Sequence, residues 1–158
     1  MTEPLADQVL RKLEEARALY NRLILVVGPA GSGKTKALQE VSASTSAPLI
    51  NVNLELSKRL LDLTERQRAL RVQKLLGEIL DEVKTDLVLL DNIEILFDVH
   101  LELDPLRLLL MLSRSKTIVA AWNGSTKKGQ ISYATPEHKE YRLYPVQDFL
   151  VASQEEQA

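Results

Sequence analysis

Gly28, Pro29, Ala30, Gly31, Ser32, Gly33, Lys34 and Thr35 follow one another in the chain and match the pattern GxxxxGK[ST] at every fixed position. The residue types suit phosphate. Glycines let successive backbone N–H groups curl around phosphate oxygens, Lys34 reaches the β and γ oxygens, and Thr35 offers a hydroxyl to magnesium. A helix beginning at Gly33 adds the positive end of its dipole. The chemistry implied is the binding of ATP with Mg2+.

Such a site needs an acid for the metal, and Asp91, at the end of the apolar run Leu87 to Leu90, has that context. Hydrolysis also needs a group that orients or deprotonates water. The neighbour of Asp91 is Asn92 rather than a glutamate, which leaves two candidates. Glu94 reaches the γ-phosphate side if Asn92 to Glu94 form a first helical turn, and Glu55 lies just beyond the second strand. Glu94 is the favoured one. Asn123 closes the strand Thr117 to Trp122 and resembles the sensor-one polar residue of AAA-type ATPases, although an Asn-Gly turn accounts for it equally well. Arg107 and Arg114 lie on the helix before that strand. Arg114 is the better candidate to complete a neighbour's site, and a solvated arginine pairing with a helix end is the alternative.

These residues require a scaffold of alternating strands and helices. Leu5 to Tyr20 has helical apolar spacing and predicts an amphipathic leading helix. Leu23 to Val27 is a continuous apolar run, the pattern of a strand buried on both faces, and is followed by a helix from Gly33 to about Ala43. A second strand is expected over Pro48 to Leu54. In the long helical region after it, Thr64 and Gln67 have capping-box spacing, which predicts a break near Leu63 and a fresh helix from Glu65. Asp86 to Leu90 reads as a strand. Asp104 and Pro105 read as the N-cap and first position of a helix ending near Arg114. The leucine-rich segment Leu106 to Leu112 suits a buried helix or a subunit interface. Beyond Asn123 and Gly124, the polar stretch Ser125 to Gln130 reads as a loop, and its Lys127 and Lys128 are candidates for contact with nucleic acid or a partner. Short strands Gln130 to Ala134 and Tyr141 to Tyr144 flank a turn at Thr135 to Lys139. A short helix is expected over Val146 to Val151.

The expected fold is α/β, a three-layer P-loop NTPase core of the AAA-like, additional-strand kind, with a mostly parallel sheet and no separate lid domain. Residues 1–152 form a single domain, and Ser153 to Ala158 form a frayed polar tail. At 158 residues the chain is long enough to bury a core without staples, and the lack of cysteine excludes disulfides, zinc knuckles and cysteine nucleophiles. A net charge of −2 excludes a globally basic nucleic-acid binder, though not a local basic patch. His100 and His138 share no metal-ligand spacing, and Trp122 belongs to the core. No apolar run is long enough for a membrane span and the amino terminus is unlike a signal peptide, so a cytoplasmic location is expected. Nothing resembles a guanine-specificity element after Asn123, and no arginine-rich lid suggests a small-molecule kinase.

Leu25 to Thr35, Leu89 to Phe97 (LLDNIEILF), Leu103 to Leu112, Ile118 to Gly124 and Tyr141 to Tyr144 together resemble the BrxF family. These are the small P-loop proteins of type III BREX bacteriophage-defence systems. The resemblance spans about Leu5 to Leu150. It implies antiviral defence alongside a methyltransferase, a PglZ-type protein, a BrxC-type ATPase and a helicase. It carries phosphate-site roles onto Gly28 to Thr35 and Asp91 alone. The function expected is a self-associating Mg-ATP-binding ATPase with Lys34, Glu94, Asn123 and Arg114 in catalytic roles. The alternative is a nucleotide-gated module that grips DNA or a defence partner.

Overall fold

A computed structural model describes residues 3–134 and 140–154. An interior strand of its sheet, β1 (Leu23–Gly28), is buried at every position. Because successive side chains alternate between faces, Leu23, Leu25 and Val27 enter one core while Ile24 and Val26 enter the other. A continuous apolar run is what a two-faced burial requires.

Two helices cover the second of these cores. α1 (Leu5–Ala16) presents Leu5, Ala6, Val9 and Ala16, and α2 (Lys34–Thr45) presents Ala37, Leu38 and Val41. On the other face lie α3 (Val52–Leu60), α4 (Glu65–Asp81) and α5 (Pro105–Leu112), making a three-layer α/β arrangement. The capping box forms as the spacing predicts, with Thr64 Oγ1 accepting from the Gln67 N–H at 3.2 Å and Gln67 Oε1 from the Thr64 N–H at 2.9 Å. Asp104 caps α5 with Pro105 in its first turn. Leu106, Leu108 and Leu109 are buried there, so core packing accounts for most of the leucine-rich segment.

The sheet also contains β2 (Leu49–Asn51), β3 (Leu87–Asp91), β4 (Thr117–Lys127) and β7 (Leu150–Ser153), in the order β2-β3-β4-β1-β7. All pairings along this order are parallel, and β4 lies between β1 and β3. An antiparallel extension is added by β5 (Gln130–Tyr133) and β6 (Arg142–Pro145), which continue from the far half of β4. Among the described residues, no helix is long and apolar enough to cross a membrane.

Several expectations are corrected. α1 stops at Ala16, short of Tyr20, and β2 ends at Asn51, whose side chain caps α3 by accepting from the Leu54 N–H at 3.0 Å. β4 does not close at Asn123 and Gly124 but runs on to Lys127. The turn lies at Lys128 and Gly129, with φ of 49° and 76°, the paired positive values of a two-residue hairpin whose twist matches its strands. Ser125 to Lys127 are therefore strand, not loop. The expected helix over Val146 to Val151 is replaced by β7, which pairs with the free edge of β1. Ser153, expected in the frayed tail, is buried at the end of that strand. The Gln8 side-chain amide completes its ladder, donating to the Ser153 carbonyl at 2.9 Å and accepting from its N–H at 3.0 Å. The turn Thr135 to Lys139 with His138, and residues 155–158, lie outside the described residues.

Gly77, inside α4, has open space where a Cβ would stand. Gly77→Ala is expected to stabilise the fold by about 0.5 to 1 kcal/mol, by restricting the unfolded chain and favouring helix, as read by chemical denaturation.

Candidate functional site

The carboxyl ends of β1 and β3 lie beside Asn123, the last residue of β4 that pairs with β1, so that the glycine-rich loop, Asp91 and Asn123 share one edge. Register sets this: Gly28 pairs with Asn123, Leu90 with Ala120 and Asn51 with Asp91. The glycine-rich loop leaves β1 and turns into α2. Gly31 and Gly33 have φ of 78° and 91°, where a side chain is strained, so glycine is required at both.

Lys34 folds back into the loop, its Nζ donating to the carbonyls of Gly28 at 2.9 Å and Pro29 at 2.6 Å. It is a buried cation. Burial lowers its pKa from the ordinary 10.5, and the nearby Glu94 and Asp91 carboxylates oppose that shift, Glu94 more strongly. Thr35, next on α2, donates its hydroxyl to Asp91 Oδ2 at 2.7 Å, while Asp91 Oδ1 accepts from the Asn92 N–H at 2.9 Å.

The Thr35–Asp91 pair has the chemistry of a hard-cation site. Both donors are oxygen, and neighbouring ligands of an octahedral ion bound at about 2.1 Å stand about 3 Å apart, close to the separation found. Among the described residues no group of three His, Cys, Asp or Glu side chains is arranged to hold a metal, so a cation here would draw further ligands from elsewhere. Magnesium, which keeps waters and substrate phosphates in its shell, fits that demand.

Asn92 does not begin a helix, contrary to expectation. It has φ of 54°, a left-handed conformation that asparagine tolerates better than most residues, and the 3₁₀ segment starts only at Glu94 (Glu94–Phe97). Glu94 still faces the site: its Oε1 accepts from Asn123 Nδ2 at 2.8 Å. Glu55 is otherwise engaged, its carboxylate pairing with Arg59 at 3.0 Å and Lys58 at 3.4 Å. Those two cations, Arg59 foremost, lower its pKa.

Other candidates lie apart. Arg114 follows α5 at the opposite, amino-terminal edge of the sheet, with its guanidinium 5.1 Å from the centre of the Tyr20 ring. The Arg114 and Ser113 carbonyls accept from Arg22, just before β1 begins. Arg107 sits in the first turn of α5, its N–H capped by Asp104. His100 is exposed beside Asp98, at 3.0 Å, and Glu65, at 3.8 Å. Trp122 is fully buried, as expected.

The sequence reading missed Gly124, Ser132 and Tyr133. Tyr133 stacks on Phe97 with ring centres 3.4 Å apart, and burial, then the charges of Glu94 and Glu140, hold its hydroxyl firmly protonated. The alternation of polar and apolar residues over Gln130 to Tyr133 was the available signal for Tyr133. Ser132 acts through its main chain, as described below, and leaves no side-chain signature.

Compared with protein-family models, curated proteins and solved structures, the chain has no match. The class established is therefore a three-layer α/β protein with a mostly parallel sheet and one polar edge at the strand ends.

Gly33→Ala meets nothing within 4 Å, so its cost is backbone strain alone. A loss of about 1 to 2 kcal/mol in denaturant unfolding is expected.

Proposed function

We propose that the chain is a P-loop NTPase of the additional-strand, AAA-like class that binds Mg-ATP, hydrolyses it slowly and self-associates. The observation that carries this reading is the meeting of Thr35 and Asp91, hydroxyl to carboxylate at 2.7 Å, beside a loop of pattern GxxxxGK[ST]. The position of β4 between the loop strand and the acid strand supports an ATP-hydrolysing class over kinases and GTPases, which place those two strands side by side. The BREX-type defence role rests on the sequence resemblance alone.

In this reading the backbone N–H groups of the loop and the Lys34 ammonium hold phosphate oxygens, and Thr35 and Asp91 hold magnesium. The bound Mg-ATP supplies the phosphoryl group and the charge-neutralising ion. Glu94 accepts a proton or hydrogen bond from water, and Asn123, by donating to Oε1, fixes the orientation of the carboxylate. Leu61 and Leu70, 72% and 74% exposed on the side of α3 and α4, suit burial against another copy. Arg114, on the far edge, can serve only a neighbour's site.

A second reading, a nucleotide-gated module on DNA, draws on one observation. Lys127 and Lys128 at the hairpin turn share with Lys12 the rim of a cavity of about 240 Å³ floored by Phe149 and Val151. ATP-dependent DNA binding that weakens steeply with salt and is lost on charge reversal of Lys127 and Lys128 is its signature.

The deciding experiment is ATP turnover against protein concentration for the wild type, Lys34→Ala, Glu94→Gln and Arg114→Ala. A specific rate that rises with concentration, vanishes in Lys34→Ala and falls at least roughly tenfold in Glu94→Gln is expected. Arg114→Ala should slow only the assembled protein. Turnover no higher than that of Lys34→Ala, with ATP still bound, overturns the hydrolytic reading in favour of the gated module.

The lowered Lys34 pKa gives a pH dependence. Its ammonium is lost at a lower pH than that of a free lysine, so ATP affinity should fall in the alkaline range before pH 10.5 is reached. The apo fold has the opposite sign. A lysine whose folded pKa is depressed disfavours folding while charged, and that penalty fades as pH rises through its folded pKa towards 10.5. Titration of ATP affinity alongside apo thermal unfolding checks both signs.

A further inference from the structure

Glu94 is held by Asn123, and Asn123 is held through the main chain of β5 and of Ala134, the residue after it. The Ala134 N–H donates to the Asn123 carbonyl at 3.1 Å. On one side of Asn123, the Trp122 indole N–H donates to the Ser132 carbonyl at 2.9 Å. On the other, Gly124 lies so near that a Cβ built on it would overlap that same carbonyl oxygen. The Ser132 carbonyl is thus seated between the two neighbours of Asn123.

Trp122 is itself immobilised, with its ring edge-on to Phe97 at 5.1 Å and to Tyr133 at 5.9 Å. Phe97 closes the 3₁₀ segment that Glu94 opens, and it stacks on Tyr133 of β5. Both ends of that segment therefore take their place from β4 and β5. The glycine-rich loop runs from β1 into α2, and it meets β4 at Gly28, the register partner of Asn123.

We infer that β5 is the positioning element for Glu94, acting through the Ser132 carbonyl, Trp122 and Gly124 on Asn123. A shift of the β4–β5 hairpin moves the Glu94 carboxylate, and it reaches the loop only through Gly28, the loop's first residue. The consequence for turnover rests on the ATPase reading above, whereas the positioning rests on geometry alone.

Two substitutions of the same kind separate the effects. Gly124→Ala drives a methyl into the Ser132 carbonyl, and Gly77→Ala adds a methyl in open space. Gly124→Ala should lower kcat at least roughly tenfold and leave KM within about twofold, because Gly31 to Thr35 lie on the loop and α2 beyond its one register contact with β4 at Gly28. Gly77→Ala should change neither. The double variant Asn123→Ala/Gly124→Ala should be no slower than Asn123→Ala, since both act through one contact. Additive losses overturn the proposal.

A readout independent of turnover uses the Asn123 side-chain amide signals in a ¹⁵N–¹H spectrum of nucleotide-free protein. Glu94→Gln should move them in the wild-type background and not in Gly124→Ala; equal movement in both overturns the proposal. If Gly124→Ala does not fold, Trp122→Phe carries the same test, because it keeps an aromatic ring and removes the N–H donor. If wild-type turnover does not exceed that of Lys34→Ala, the ATPase reading fails, and the amide signals still decide the positioning.

Discussion

The register of β4 against its two neighbours is the constraint on which the rest depends. Its parallel pairing with β1 aligns Asn123 with Gly28, and its pairing with β3 brings Asp91 to the same edge. A slip of one residue on either side would exchange the faces of every side chain on β4, sending Ile118, Ala120 and Trp122 from the larger core to the smaller. Burial on both faces makes such a slip costly. The polar edge is therefore specified by apolar packing some distance from it.

Within that edge the chemistry is arranged against stability. A cation in a half-closed loop loses hydration, and Lys34 recovers part of it from two loop carbonyls and two nearby carboxylates. Thr35 and Asp91 satisfy each other. In the proposed reading these are the contacts that a phosphate and a hard cation would replace.

Local signals in the sequence located the parts that depend on local physics. The apolar run of β1, the glycine-rich loop, the Thr64–Gln67 capping box and the Asp104–Pro105 start of α5 all rest on interactions within a few residues. Asp91, Glu94 and Asn123 were legible because each follows or ends an apolar strand run. The failures are long-range. Leu150 to Ser153 become a strand because β1 offers an open edge, a partner more than a hundred residues away that no local pattern reveals. Asn123 and Gly124 carry the strongest short turn signal, yet they stay extended, since glycine serves there to admit the Ser132 carbonyl. The Glu94 side chain was found for a geometry that does not occur: the left-handed turn at Asn92, not a helical turn, brings it to Asn123.

The bond between Gln8 and Ser153 spans 145 positions of the chain. During synthesis α1 emerges before β7 with a polar amide that belongs in the interior, and β1 follows it with an edge of unpaired backbone N–H and C=O groups. The Gln8 amide has a local acceptor in the Glu3 carbonyl at 2.8 Å, but the β1 edge waits for β7. The β1 edge is therefore closed by a strand made more than a hundred residues after it, and in that interval pairing with another chain competes with completion of the fold.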